Sequence, residues 1–263
     1  MMPSTFPAAA TVTGALLGRA GELGDRHALV DIAAGGAVYT YQRLAASVTR
    51  AAAGLVKRGM RAGQVSGVYV HTVPAQIVAL LSVIAAGGVA LPLSVSAGLA
   101  GVAKLLVRHD VRLLFTTPDL VEAAEEMADA SRIRQIVTFG PTPKSVDFED
   151  LLAPGEFSLP MPDPVTEPAV ATAQGVLTHR EFLSGARTLD RTADVTASDV
   201  VLVAWPLDGG CDIPVLVSLA LMRGATVVAV PGITRSQLRG IIADFGITLV
   251  ALVDGDRKVI SRL

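Results

Sequence analysis

The sequence predicts an α/β protein made of two tandem βα-wound subdomains, and three observations carry that prediction. Short apolar runs alternate with longer segments whose apolar residues recur at helical spacing, the pattern of a mostly parallel sheet flanked by helices. Two of the runs, Val201-Leu202-Val203-Ala204 and Val227-Val228-Ala229-Val230, are apolar without a break, as strands buried on both faces require. Between the two windings, residues 141–164 carry Pro141, Pro143, Pro154, Pro160, Pro162 and Pro164 with little periodicity, so this stretch reads as a connection containing a short helical turn at Phe148–Leu152. The expected division is residues 1–160 as a first subdomain and 161–263 as a second, truncated one.

The first winding opens with a helix over Thr11–Leu23 and a hairpin-like Val30/Val38 pair around Ala33-Ala34-Gly35-Gly36. Tyr41–Arg58 places Leu44, Val48, Ala51, Ala52 and Leu55 on one helix face and is stopped by Gly59. The order then reads strand Val65–Val70, helix Ala75–Ala86, strand Val89–Leu93, helix Leu99–Arg108, strand Leu113–Thr116, helix Leu120–Ala130 and strand Gln135–Phe139. The second winding reads strand Ala169–Ala173, helix His179–Arg191, strand Val200–Trp205, helix Ile213–Arg223, strand Thr226–Val230, helix Arg235–Phe245, strand Thr248–Val253 and a last helical piece over Asp256–Leu263.

Composition narrows the function classes. With 51% hydrophobic and 17% charged residues, the chain can bury a substantial core. No Asp, Glu, Lys or Arg lies between Arg61 and Lys104, but Pro74, Gly87-Gly88, Pro92 and Gly98 cut that stretch into pieces too short for a membrane span. The net charge of −2 and the dispersed basic residues give no footprint for nucleic acid. A single cysteine, Cys211, excludes an internal disulfide and fits a cytoplasmic location, and the N-terminus lacks the basic stretch of a signal peptide.

Candidate chemistry is sparse. Asp208-Gly209-Gly210-Cys211-Asp212 follows the carboxyl end of strand Val200–Trp205, where doubly wound folds place ligands. Cys211 there is a candidate nucleophile, with a small buried residue as the favoured reading because no basic or His partner is adjacent in sequence. Asp208 and Asp212 read as helix caps before they read as an acid pair. Ser94, Ser96, Gly98 and Gly101 form a small-residue loop that matches no phosphate-binding pattern, and Glu122, Glu125, Glu126 and Asp129 read as a solvated helix face. His27, His71 and His109 are scattered, and no pair has metal-ligand spacing, so no metal is expected.

Gly175-Val176-Leu177-Thr178-His179-Arg180 resembles the end of the phosphate-binding signature of the adenylate-forming enzymes, which include acyl-CoA synthetases, and which reads Ser-Gly-Thr-Thr-Gly-x-Pro-Lys-Gly-Val-x-Leu-Thr-His. Tyr39-Thr40-Tyr41-Gln42-Arg43-Leu44 is similar to the family's Leu-Thr-Tyr-x-Glu-Leu motif, with Arg43 at the usual Glu. Gly54 to Gln64 resembles its Gly-Leu-x-x-x-Gly-Val-x-x-Gly-Asp run, Ala85 to Leu93 its Ala-Gly-Ala-Val-x-x-Pro-Leu step, and Arg112–Thr116 and Leu221–Val228 match as well. The resemblance spans the chain from about Leu16 onward.

The resemblance also implies what is missing. A phosphate loop needs glycines for close backbone approach, hydroxyls to donate and a Lys for charge. Here Glu167, Pro168, Ala169, Val170, Ala171 and Gln174 stand in its place, or the loop is deleted, leaving Thr172, Gln174, Gly175 and Thr178 as its remnant. The family's aromatic-His step appears as Pro206-Leu207-Asp208-Gly209-Gly210, and the sequence ends before the family's adenine- and ribose-binding segments and its lid Lys. His179 stands where the family places its helix-opening His, and local packing is the favoured reading over proton transfer. The expectation is a non-catalytic homologue without ATP as cofactor, binding a protein partner, itself, or an acyl or carrier-protein-linked ligand. The alternatives are half of a split acyl-activating ligase or an ATP-independent acyl-transfer enzyme, for which the candidates are His179, Cys211 and Asp208.

Overall fold

The computed structural model describes residues 10–32, 37–155, 158–205, 212–231, 235–254 and 257–263. It is an α/β protein with two parallel-rich sheets. In chain order, α1 (Val12–Leu17) and α2 (Ala20–Leu23) lead to β1 (His27–Asp31), β2 (Ala37–Thr40), α3 (Tyr41–Lys57), β3 (Val65–Tyr69), α4 (Val73–Ala85), β4 (Val89–Pro92), α5 (Leu99–Arg108) and β5 (Leu113–Thr116). There follow α6 (Val121–Asp129), β6 (Gln135–Thr138), β7 (Val146–Asp147), β8 (Pro168–Ala171), β9 (Val176–Thr178), α7 (His179–Ala193), β10 (Val200–Trp205), α8 (Asp212–Arg223), β11 (Thr226–Pro231), α9 (Arg235–Phe245), β12 (Leu249–Asp254) and β13 (Arg257–Arg262).

The seven-stranded sheet has the order β7-β6-β5-β3-β4-β8-β9, and the six-stranded sheet β13-β12-β10-β11-β1-β2. Alternate residues of each strand point to opposite faces, and this sorts the core into layers. Val68, Phe115 and Ala90 of one sheet and Leu29, Val201, Val203 and Val227 of the other join one buried cluster with α1, α3, α4, α7 and α8. The opposite face of the seven-stranded sheet, with Tyr69, Leu91 and Leu114, is covered by Val102 and Leu106 of α5 and Ala124 and Met127 of α6. The opposite face of the six-stranded sheet, with Val30, Leu202, Val228 and Val250, packs against Leu238, Ile241 and Ile242 of α9.

The charge-free stretch between Arg61 and Lys104 is explained by this layering. Every residue of α4 is buried, so the helix carries no charge on any side because it lies inside the protein. No helix among the described residues is long and apolar enough to cross a membrane.

Two features were not readable from the sequence. The sheets exchange strands across residue 160: β1 and β2 extend the six-stranded sheet, with Leu29 in parallel register with Val227, while β8 joins the seven-stranded sheet through Ala90 and Val170. Each winding therefore supplies strands to both sheets. Second, the expected helical piece over Asp256–Leu263 is corrected to a strand, β13, antiparallel to β12 from Asp254↔Arg257 to Leu249↔Arg262. The edge of β12 offers unpaired backbone groups, which a following extended segment satisfies and a short helix would leave open.

The Thr40 side chain caps α3 by accepting from the Arg43 N–H at 3.2 Å. Arg43, which departs from the Glu of the resembled motif, donates to the Val38 carbonyl at 3.2 Å. The third position of the helix thus ties back to β2 instead of closing a reciprocal cap.

Candidate functional site

Thr172–Gly175, read from the sequence as the end of a phosphate-loop pattern, is a tight reverse turn between β8 and β9 at the carboxyl end of β8. Its backbone closes on itself, the Thr172 N–H donating to the Gly175 carbonyl at 2.7 Å. The Thr172 hydroxyl accepts from the N–H of Gln174 at 3.1 Å and of Gly175 at 3.2 Å, and can donate to the Gly175 carbonyl at 3.2 Å. One O–H and two lone pairs are all a hydroxyl has, so the hydroxyl is fully engaged. Two N–H groups of the kind that a phosphate would need are already paired inside the turn.

The turn is also held from outside, by residues the sequence reading passed over. At the C-terminal end of α5, Arg108 donates to the Ala173 carbonyl at 2.8 Å, and His109 Nε2 lies 3.2 Å from the Thr172 carbonyl, which it meets as a donor in the Nε2–H tautomer. The signal available was two adjacent cationic-type side chains in a helix's last turn, which ordinarily serve that helix's own carbonyls. Only the packing of α5 beside β8 directs them to this turn.

Thr178 is engaged too. Its hydroxyl accepts from the Glu181 N–H at 3.2 Å while the Glu181 carboxylate accepts from the Thr178 N–H at 2.8 Å, a capping box that starts α7. The backbone hydrogen bond from Thr178, followed by its side-chain bond, holds the Glu181 carboxyl below its ordinary range.

His179 is 1% exposed, and its Nδ1 accepts from the Val12 N–H at 3.1 Å, pinning α1 against α7. Burial pushes its pKa down, and the nearby Glu167 opposes this without reversing it. The imidazole is therefore neutral and already used as a backbone acceptor. His179→Ala is expected to destabilise the fold by about 1–3 kcal/mol, the cost of orphaning a buried N–H, as measured by denaturant unfolding. The unfolded chain protonates near 6.5 and the folded one below that. The stability gained from the neutral form is therefore complete above that pH and declines as pH falls through it. The alanine variant should lose this part of the acid sensitivity.

Asp208 and Cys211 lie outside the described residues, as does the side chain of Asp212 at the start of α8. Ser94 and Ser96 hydrogen-bond to each other at 3.0 Å. A Cβ at Gly98 or Gly101 would meet nothing within 4 Å, so neither glycine is required by close packing.

Across the carboxyl ends of adjacent strands β3 and β5, His71 Nδ1 lies 3.2 Å from Asp119 Oδ2. This pair is far apart in sequence and was not anticipated. No Ser, Thr or Cys hydrogen-bonds to that imidazole among the described residues, so the pair lacks the third member of a nucleophilic triad. No group of three or more His, Cys, Asp and Glu is gathered for a metal among the described residues.

The fold and the sequence both have relatives. The family model for the AMP-binding enzyme matches residues 18–172. A long-chain-fatty-acid-CoA ligase of Archaeoglobus fulgidus has a similar structure, with TM-score 0.82 and 16% identity over 94% of this chain and 52% of that one. The luciferase-like enzyme of the nonluminescent mealworm Zophobas morio superposes with TM-score 0.81 and 16% identity, over 95% of this chain and 60% of that one. MbtA of Mycobacterium smegmatis does so with TM-score 0.79 and 23% identity, over 92% of this chain and 47% of that one. The chain thus spans about half to three-fifths of the length of these structures. Among functionally curated proteins, none matches the sequence.

Proposed function

As the chain belongs to the AMP-binding enzyme family, we propose that it is a non-catalytic member, using the family's N-terminal fold as a binding scaffold for a protein partner or an acyl or carrier-protein-linked ligand. The observation that carries this reading is the closed Thr172–Gly175 turn. In the position that corresponds to the family's phosphate loop, the Gln174 and Gly175 N–H groups are committed to the Thr172 hydroxyl. A nucleotide phosphate would have to break those bonds to use them, and this segment carries no Lys to repay the cost.

Titration of ATP with magnesium tests it. No saturable heat is expected at millimolar nucleotide, where even a site worth about −4 kcal/mol would register. Micromolar affinity would overturn the reading. A second reading, half of an acyl-activating ligase that works with a complementing chain, draws support from the 52% of the Archaeoglobus ligase that this chain spans. It requires nucleotide affinity to appear when the complementing half is added, whereas the scaffold reading expects none in either case.

A further inference from the structure

At the opposite edge of the seven-stranded sheet from the Thr172 turn, a cavity of about 620 Å³ opens between α6 and the β6–β7 edge. The strand order puts β5, β3 and β4 between β6 and β8, a separation of about 19 Å at the usual strand spacing. The cavity is therefore remote from the Thr172 turn.

Its walls carry opposite charge. Glu125 and Asp129, one turn apart on α6 and so on one helix face, line one wall. Arg134, on the segment entering β6, and Lys144, in the turn before β7, line the other. Ile133 and Ile136 add apolar lining.

None of the four charged side chains makes an ion pair or side-chain hydrogen bond among the described residues. Their neighbours do: Asp110 holds Arg112 at 3.0 Å and Arg132 at 3.2 Å. The two acids come from α6 and the two bases from the β6–β7 side of the cavity. A molecule with an ammonium at one end and a carboxylate at the other would pair with both sets at once, and an aliphatic middle would lie against the two isoleucines. The volume lies within the roughly 300–1,000 Å³ of small-molecule sites and leaves room for more than a single amino acid.

We propose that this cavity binds a small zwitterion of about dipeptide size, its ammonium on the Glu125–Asp129 wall and its carboxylate on the Arg134–Lys144 wall. The test is titration of the protein with leucyl-leucine at low salt, followed by amide chemical shifts and by calorimetry. The same titration is run with the dipeptide blocked as N-acetyl and C-terminal amide, and on the variants E125Q/D129N and R134Q/K144Q. Saturable binding at millimolar concentration or below is expected, with shifts confined to α6 and the β6–β7 edge. At least a tenfold loss is expected for each double variant and for the blocked peptide, and weakening as salt screens the exposed charges. Dispersed amide spectra report that the variants are folded; if one double variant is not, the other and the blocked peptide decide. Absence of saturation at millimolar dipeptide, equal binding of the blocked peptide, or unchanged affinity in a folded double variant would overturn the assignment.

Discussion

Replacing Gly54 by alanine is expected to destabilise the protein by about 3 kcal/mol or more, at the upper end of overpacking costs. The sign is opposite to what helix propensity predicts, since Gly inside a helix is normally about 1 kcal/mol worse than Ala. Gly54 sits within α3 facing the 3-10 turn at Phe148–Leu151, and a Cβ there would stand 1.8 Å from the Leu151 carbonyl oxygen and 2.8 Å from its carbon. The obstacle is backbone, and it is anchored to the same helix. Arg50 donates to the carbonyls of Leu152 and Ala153 at 3.2 and 3.3 Å, the Ala153 N–H donates to the Arg50 carbonyl at 3.2 Å, and Arg58 donates to the Asp150 carbonyl at 3.3 Å. Relieving the clash means breaking several of these bonds. Gly101→Ala in α5 is the matched control: a Cβ there meets nothing within 4 Å, so a gain of roughly 0.5–1 kcal/mol is expected. Urea unfolding of both variants checks the pair, and equal effects would refute the packing argument.

Asp199→Ala should cost about 3 kcal/mol at neutral pH, because one buried carboxylate organises the start of β10 and the end of the last strand. Asp199 is 3% exposed and accepts from the Thr196 N–H at 2.7 Å, the Thr196 hydroxyl at 2.8 Å, the Thr248 hydroxyl at 2.7 Å and the Arg262 guanidinium at 2.9 and 3.2 Å. Arg262 is half exposed and regains water when the pair is lost, so its own share is small. The larger loss comes from the Thr196 N–H and the Thr248 hydroxyl. Burial by itself would raise the Asp199 carboxyl, but the hydrogen bonds from Arg262, Thr248 and Thr196 outweigh it and hold it well below the ordinary carboxylate range. The folded pKa is thus depressed, so this stabilisation is present above the unfolded value near 3.9 and is lost as pH falls below it toward the folded one. The stability gap between wild type and Asp199→Ala should narrow as pH falls from neutral to about pH 3; parallel curves, or a difference under about 0.5 kcal/mol at pH 7, would sink the assignment.

The retained fold and the closed turn have a common physical origin. A parallel sheet flanked by helices is stabilised by apolar burial spread over many strands, to which a single loop contributes little. The loop itself must be held open at a cost in unpaired N–H groups, which a nucleotide repays when it binds. With Thr172 at the first turn position, the lower-energy arrangement is the one in which the side chain satisfies those groups internally. The Thr172 hydroxyl, bonded to the Gln174 and Gly175 N–H groups, thereby stabilises the hairpin.

Much of the local structure was legible in the sequence because it depends on neighbours a few positions apart. The helical spacing of Leu44, Val48, Ala51 and Leu55 defined α3, and the unbroken apolar runs at Val201 and Val227 defined β10 and β11, since buried strands and one-sided helices leave those periods directly in the residues. The family was legible for a related reason: short motifs keep their order along the chain. What only the tertiary structure decided is everything that depends on which elements meet. Residues 27–31 read as a strand, but nothing local says that Leu29 pairs with Val227; the strand's own period is satisfied by any partner with an open edge. Residues 257–262 are too short for periodicity to distinguish helix from strand, and the free edge of β12 settled it. Gly54 read as one glycine of a motif, and its reason is the Leu151 carbonyl brought against it by the fold. Arg108 and His109 read as the end of a helix, and only the packing of α5 beside β8 turns them onto the Thr172–Gly175 turn.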